Sequence, residues 1–281
     1  MSQSVYKLLA VATGAALFVP AVHAFDVRIT IENLASNSPT GLYLGPVWLG
    51  AHNGTFDLFN AGTAASAAIE LLAETGNSSL VQASFAAAQP LGWSTVLNQP
   101  TGPGPGIFAP GTSNSLIASL DPMTQRYLSW GSMVVPSNDT FLANENPMAA
   151  QLFDSMGNFA GVQSWTIFGS QLWDSGTEVN DPANGPAFLA GSNAALGAAE
   201  NGVVHVQPLN GLDSFIGQTT AAGTVLGETL NPHPLFRISI APVPEPSTYG
   251  LMASAGLLAL VALRGRRFRR KNAPSGETRI A

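Results

Sequence analysis

Three carboxylates carry the most legible chemistry in this chain of 281 residues. Asp139 ends the turn Pro136-Ser137-Asn138-Asp139, which follows the apolar run Met133-Val134-Val135. Asp174 and Glu178 bracket a second turn, Asp174-Ser175-Gly176-Thr177-Glu178. Side-chain oxygens held on tight turns suit a hard cation such as calcium, which takes roughly six to eight oxygen ligands in a flexible shell. Pro136 fixes φ and Gly176 permits a sharp bend, so both turns can be firmly shaped. Carboxylates drawn together repel, and a divalent ion removes that cost. The same residues equally suit two polar surface turns that never meet.

Other chemistries have less to stand on. The chain has no cysteine, which excludes a disulfide framework, thiol catalysis and thiolate metal sites. Neither a Gly-x-Ser-x-Gly elbow nor a His-Glu-x-x-His helix occurs. His52 suits a structural hydrogen-bonding role better than catalysis. Asp57 and Glu74 could act as an acid and base, but Glu74 sits near a helix end and suits a solvated position. Trp48, Trp93, Trp130, Trp165 and Trp173 suit a core, with a sugar-binding face as the alternative.

The elements that must position these residues are mostly strands. Phe25, Val27, Ile29 and Ile31 alternate with Asp26, Arg28, Thr30 and Glu32, the period of a half-buried strand. Leu42–Leu49 is apolar but broken by Gly45 and Pro46, which suggests an edge or bulged strand. Ser115–Leu120, Tyr127–Val135, Gly161–Gly169, Val203–Gln207 and Leu235–Ile240 read as further strands. Ala64–Glu74 favours a helix that Ser66 caps and Gly76 stops. Residues 99–111 hold four prolines and four glycines and predict a surface loop. Many short strands with Gly/Pro turns and one short helix predict a mainly β protein, an antiparallel β-sandwich.

Met133-Val134-Val135-Pro136-Ser137-Asn138-Asp139-Thr140-Phe141 and Trp173-Asp174-Ser175-Gly176-Thr177-Glu178 together resemble the paired blocks of the spondin domain, the F-spondin N-terminal-type module. Gly45-Pro46-Val47-Trp48-Leu49-Gly50-Ala51-His52-Asn53, continuing through Phe56, Gly62, Ala65-Ser66 and Ala73-Glu74-Thr75-Gly76, is similar to its N-terminal half. Gly45 stands where serine is usual and Ala51 where threonine is usual. The resemblance spans residues 25–241. It implies a C2-like sandwich in which Asp139, Asp174 and Glu178 coordinate a calcium ion (Ca2+), with Glu178 keeping the carboxylate at a longer reach. Asn138, Asn180 and Asp181 could add oxygens.

Both ends of the chain read as export machinery. Residues 1–24 carry Lys7, the apolar stretch Leu8–Val19 and Val22-His23-Ala24, the pattern of a signal peptide cleaved before Phe25. Residues 242–281 hold Pro244-Glu245-Pro246-Ser247, an apolar segment Tyr249–Leu263 that suits a short hydrophobic transmembrane helix, and the basic run Arg264–Lys271. This resembles a PEP-CTERM sorting tail of exopolysaccharide-making bacteria. A permanent membrane anchor would have the same topology, with its basic end inside.

Between Phe25 and Val243 fifteen acidic residues face three arginines, a formal charge of −12 that the whole-chain −6 conceals. A domain so acidic should avoid nucleic acid and anionic lipid and gather cations. The sequence thus predicts a secreted, non-enzymatic, calcium-binding module. It would be exported across the inner membrane, held briefly by its C-terminal helix, then delivered to the cell surface or extracellular matrix. There it would adhere to extracellular polysaccharide or a matrix protein. The alternative is a matrix polysaccharide hydrolase using the acidic residues.

Overall fold

The computed structural model describes residues 24–34, 41–101, 104, 106–227, 230 and 233–244. Apart from Ala24, the expected signal peptide lies outside these residues. So do the expected hydrophobic helix and basic end of the tail. Among the described residues no helix is long and apolar enough to cross a membrane.

Among the described residues eleven strands and two α-helices follow in order. They are β1 (Phe25–Asn33), β2 (Tyr43–Leu44), β3 (Val47–His52), α1 (Ala67–Thr75), α2 (Ser79–Ala88), β4 (Trp93–Leu97) and β5 (Ser113–Leu120). Then come β6 (Tyr127–Val135), β7 (Thr140–Ala143), β8 (Gln163–Phe168), β9 (Trp173–Asp174), β10 (His205–Val206) and β11 (Pro234–Pro242). A four-stranded sheet has the order β5-β1-β11-β8. The larger sheet runs β10-β9-β7-β6-β3-β4, with β2 also paired to β6. All strand pairs are antiparallel, and the arrangement is a mainly β sandwich, as the sequence predicts.

The main core lies between the sheets. Val27, Ile29 and Ile31 of β1 and Phe236, Ile238 and Ile240 of β11 meet Val47 and Leu49 of β3 and Leu128 and Val134 of β6. The outward residues of β1 are polar, and Glu32 accepts two bonds from its cross-strand partner Arg237, at 2.6 and 2.9 Å. Strict alternation is what one solvated face produces.

The larger sheet has both faces covered, which corrects two expectations. Leu42–Leu49 is not an edge strand. Gly45 and Pro46 split it into β2 and β3, and β3 runs between β6 and β4 with every residue buried. There are also two helices rather than one. Ser66 Oγ accepts the Ile69 N–H, and Gly76 ends α1 at φ +70° with its N–H on Leu72 O. After Asn77 and Ser78, α2 begins. It turns Val81 and Phe85 onto Trp48, beside Ile69 and Leu72 of α1, to form a second core. Helix α1 approaches β6 so closely that a Cβ at Gly131 would lie 2.9 Å from Leu72 Cδ2, so a larger residue there would have to displace that leucine side chain.

Candidate functional site

The turn between β6 and β7 is held by its own side chains. Ser137 Oγ donates to Val134 O (2.6 Å) and accepts the Thr140 N–H (3.1 Å). Asn138 accepts from the Asp181 N–H and donates to Asn184 O, tying this turn to the 178–184 loop. Ser137, Asn138 and Asp139 are all fully buried.

Asp139 is the centre. Its Oδ2 accepts from Ser175 Oγ (2.9 Å), the Thr177 N–H (2.8 Å), Thr177 Oγ1 (3.3 Å) and the Glu178 N–H (3.1 Å). Its Oδ1 is buried and has no hydrogen-bond partner. A buried carboxylate oxygen without a partner bears a desolvation cost that a cation would remove.

Pairing brings the second carboxylate close, since Thr140 of β7 lies opposite Asp174 of β9. Asp174 Oδ1 accepts the Gly176 N–H (2.8 Å), and Oδ2 accepts from Asn180 Nδ2 (3.2 Å). Gly176 has φ +67°, and a Cβ there would lie 2.7 Å from the Val203 backbone, so this bend admits only glycine. Burial first, and then the charge of Asp139, push the Asp174 carboxyl up to about 6. Its only basic neighbour among these causes, His205, acts the other way across a 4.0 Å gap.

Of the three sequence-predicted ligands, Asp139 and Asp174 converge and Glu178 stands aside. One carboxylate oxygen from each of Asp139, Asp174 and Glu200 lies within 4.8 Å of the others. Glu178 contributes its backbone N–H to Asp139, while its carboxylate accepts from Asn138 Nδ2 (3.3 Å) and packs against Gly185 and Gly197. Burial and then the nearby Asp139 and Glu70 raise its pKa. Glu200 has no local spacing signal. The Glu178–Ala199 bridge and the bonds from Glu200 N to Thr177 O and Gly202 N to Gly176 O deliver it.

Glu74 is not a solvated helix end. It is half-buried, bonds to Thr177, and has a pKa raised first by burial and then by Glu178, Glu70 and Asp139. The three arginines are engaged elsewhere, Arg28 with Ser115, Arg126 over Tyr127 and Arg237 with Glu32.

Asp174, Asn180, Glu200, His205 and Gln207 also line a pocket of about 290 Å3 beside the group. Asn180 Oδ1 and both polar atoms of the Gln207 amide are buried there without partners. The donor set is carboxylate and amide oxygen with a single imidazole, which fits a hard cation better than a soft one. Asp181 bonds Ala183 and Asn184 in its own loop and stays outside the group. His52 is fully buried, with Nε2 on Ser129 Oγ (3.0 Å) and Nδ1 accepting the Gly54 N–H (3.0 Å), a role within the fold.

A separate open groove lies at the other face of β9, where Trp173 points away from its neighbour Asp174. Trp130, Trp165 and Trp173 line it, and Glu145 is the one charged residue on its wall.

The PEP-CTERM protein-sorting motif matches residues 242–267. The protein is therefore an exported bacterial β-sandwich sorted to the cell surface or exopolysaccharide. The match begins at the last residue of β11, and the spondin-like blocks lie outside it. No curated protein matches the chain.

Proposed function

We propose that this exported sandwich is a calcium-binding, non-catalytic module of the spondin type, acting in adhesion at the cell surface or within the matrix. The observation that carries the reading is the Asp139 carboxylate. Four donors converge on one of its oxygens, and the other is buried without a partner in a residue grouped with Asp174 and Glu200. Asp139, Asp174 and Glu200 would hold the ion, with the amide oxygen of Asn180 at hand. The calcium would offset most of the charge of the group and fix the 174–180 turn against the 137–139 turn. A hydrolase is disfavoured because the paired carboxylates and the groove tryptophans occupy different concavities.

Thermal melting and metal analysis of the purified protein test this. Calcium at a hundredfold excess over its dissociation constant is expected to add about 2.7 kcal/mol of stability. Magnesium should add far less, since it demands a smaller octahedral shell. Asp174→Asn should remove most of the increment while slightly stabilising the chelated form, because it relieves repulsion from Asp139. Glu200→Gln should weaken calcium binding more than Glu178→Gln. Identical wild-type melts in calcium and chelator, with no metal in the protein, would sink the site.

The sorting match supports a second expectation, concerning processing. The mature protein should begin at Phe25 and lack the basic run Arg264–Lys271. Intact mass of surface-extracted protein decides this, and a mature pool retaining that run would mean a permanent anchor.

A further inference from the structure

We infer that the groove between β8 and the end of the larger sheet formed by β7, β9 and β10 binds a chain of neutral sugars. This deepens the matrix-binding part of the proposed function and rests on it, but it does not require the cation.

The groove encloses about 530 Å3 and is open along one side. That volume falls within the range of small-molecule sites, roughly 300–1,000 Å3. Both sheets build it. Trp165 comes from β8, an edge strand of the smaller sheet, while Trp130 and Trp173 come from β6 and β9 of the larger. The Trp130 and Trp165 rings lie 5.4 Å apart, inclined by 44°. Trp173 is immobilised by its Nε1 bond to Ala143 O (3.2 Å) and by edge packing on Phe59.

Trp165 and Trp173 are half-buried, so each keeps part of an indole surface toward the groove. Trp130 is only 5% exposed, and its Nε1–H is buried without a partner. Buried indole N–H groups ordinarily find an acceptor. The aromatic wall is bordered by the exposed Ser170 and Gln171. Gln171 Oε1 accepts the Phe168 N–H (3.0 Å), which orients its NH2 group as a free donor.

Rigid aromatic faces beside fixed amides and hydroxyls match a pyranose ring. Its C–H face is apolar and stacks on indole, while its equatorial hydroxyls bond to the polar rim. Glu145 alone brings charge, and the domain around it carries −12. A uronate polymer, nucleic acid or anionic lipid would be repelled. The open side suits a chain rather than a single sugar, and the sorting motif directs the protein to the cell surface or exopolysaccharide, where such chains are present.

The test is titration of the full-length protein with cellohexaose, laminarihexaose, maltohexaose and exopolysaccharide from the producing cells, in calcium and in chelator. Indole fluorescence and calorimetry are the readouts. The expected result is saturable binding of at least one neutral probe, equal in both buffers. Trp165→Ala should weaken it about tenfold or more, as loss of a central aromatic anchor does. Gln171→Ala, on the exposed rim, should weaken it several-fold while losing only the solvent-exposed Phe168 cap, so the result does not hang on how Trp165→Ala folds. Trp93→Phe, outside the groove, should leave it unchanged.

No binding of any probe overturns the inference, as does binding indifferent to both groove variants. Self-association lost in Trp165→Ala without sugar binding also overturns it, because the groove would then hold protein. Failure of the calcium melts leaves these outcomes untouched.

Discussion

Asp139→Ala is expected to lower stability by about 3–5 kcal/mol, the largest loss of any single change at the acidic group. The Ser175 hydroxyl and the Thr177 and Glu178 backbone N–H groups all converge on one Asp139 oxygen inside the fold. Hydrogen bonds to a charged group contribute about 1.5–3 kcal/mol each, and stranded buried donors cost a further amount. Relief of repulsion on Asp174 offsets part of this, so the separate losses do not add. Asp139→Asn keeps an acceptor for the same donors, removes the charge and puts an NH2 donor in place of the buried Oδ1. It should cost about 1 kcal/mol in chelator yet abolish the calcium increment. Urea denaturation of both variants, with calcium and with chelator, separates the scaffold role from the ionic one. Equal midpoints for the two variants in chelator would show that the donors do not depend on that oxygen.

Acid should open the helix-covered core through His52. Its ring is buried beside Phe56, Phe85 and Tyr127, and burial lowers its pKa to about 4. Because Nδ1 accepts the Gly54 N–H, the neutral ring carries its proton on Nε2 and donates to Ser129. The unfolded chain protonates near the ordinary value of 6.5. Stability from this group is therefore complete above pH 6.5 and is lost as pH falls toward 4. The loss is on the order of 2–3 kcal/mol once solvent screening is allowed for.

Asp174 works in the opposite sense. Its raised pKa makes its contribution complete below the ordinary carboxylate value and lost as pH rises through about 6. The difference between wild type and His52→Gln isolates the histidine. The variant should be less stable at neutral pH but lose less on acidification. Parallel urea midpoints from pH 7 to 4.5 would falsify the assignment.

Much of the scaffold is legible in the chain. The alternation of β1 and β11 survives because one face of their sheet meets water, and β6 occupies the apolar run Tyr127–Val135. Helix α1 announces itself through Ser66 and Gly76. Helix α2 does not, because only Val81 and Phe85 face its core and alanines dilute the period. Strands β7 and β9 are too short to express a period. At the site, Asp139 and Asp174 are legible because each belongs to a turn built by Pro136 or Gly176. Glu200 is not, since only backbone pairing across an irregular connection carries it in. Glu178 shows the limit of spacing: four positions from Asp174, it is drawn to Asp139 by its N–H while its carboxylate turns toward Asn138.

The pairing of β1 with β11 sets the order of events during export. Glu32 and Arg237, bonded across those strands, stand 205 positions apart. The first strand to emerge can pair with β5 on one side, but its other edge stays open until nearly the whole chain has crossed. Closing so distant a contact is slow, and an open edge invites association with other chains. The closing strand ends at Pro242, where the sorting match begins, and the Val243 N–H still bonds to Asp26 O. Pairing of the smaller sheet is thus completed only by residues that directly adjoin the sorting motif. A cut that releases the tail must fall beyond Val243, because a deeper one would unpick the seam joining the two ends of the domain.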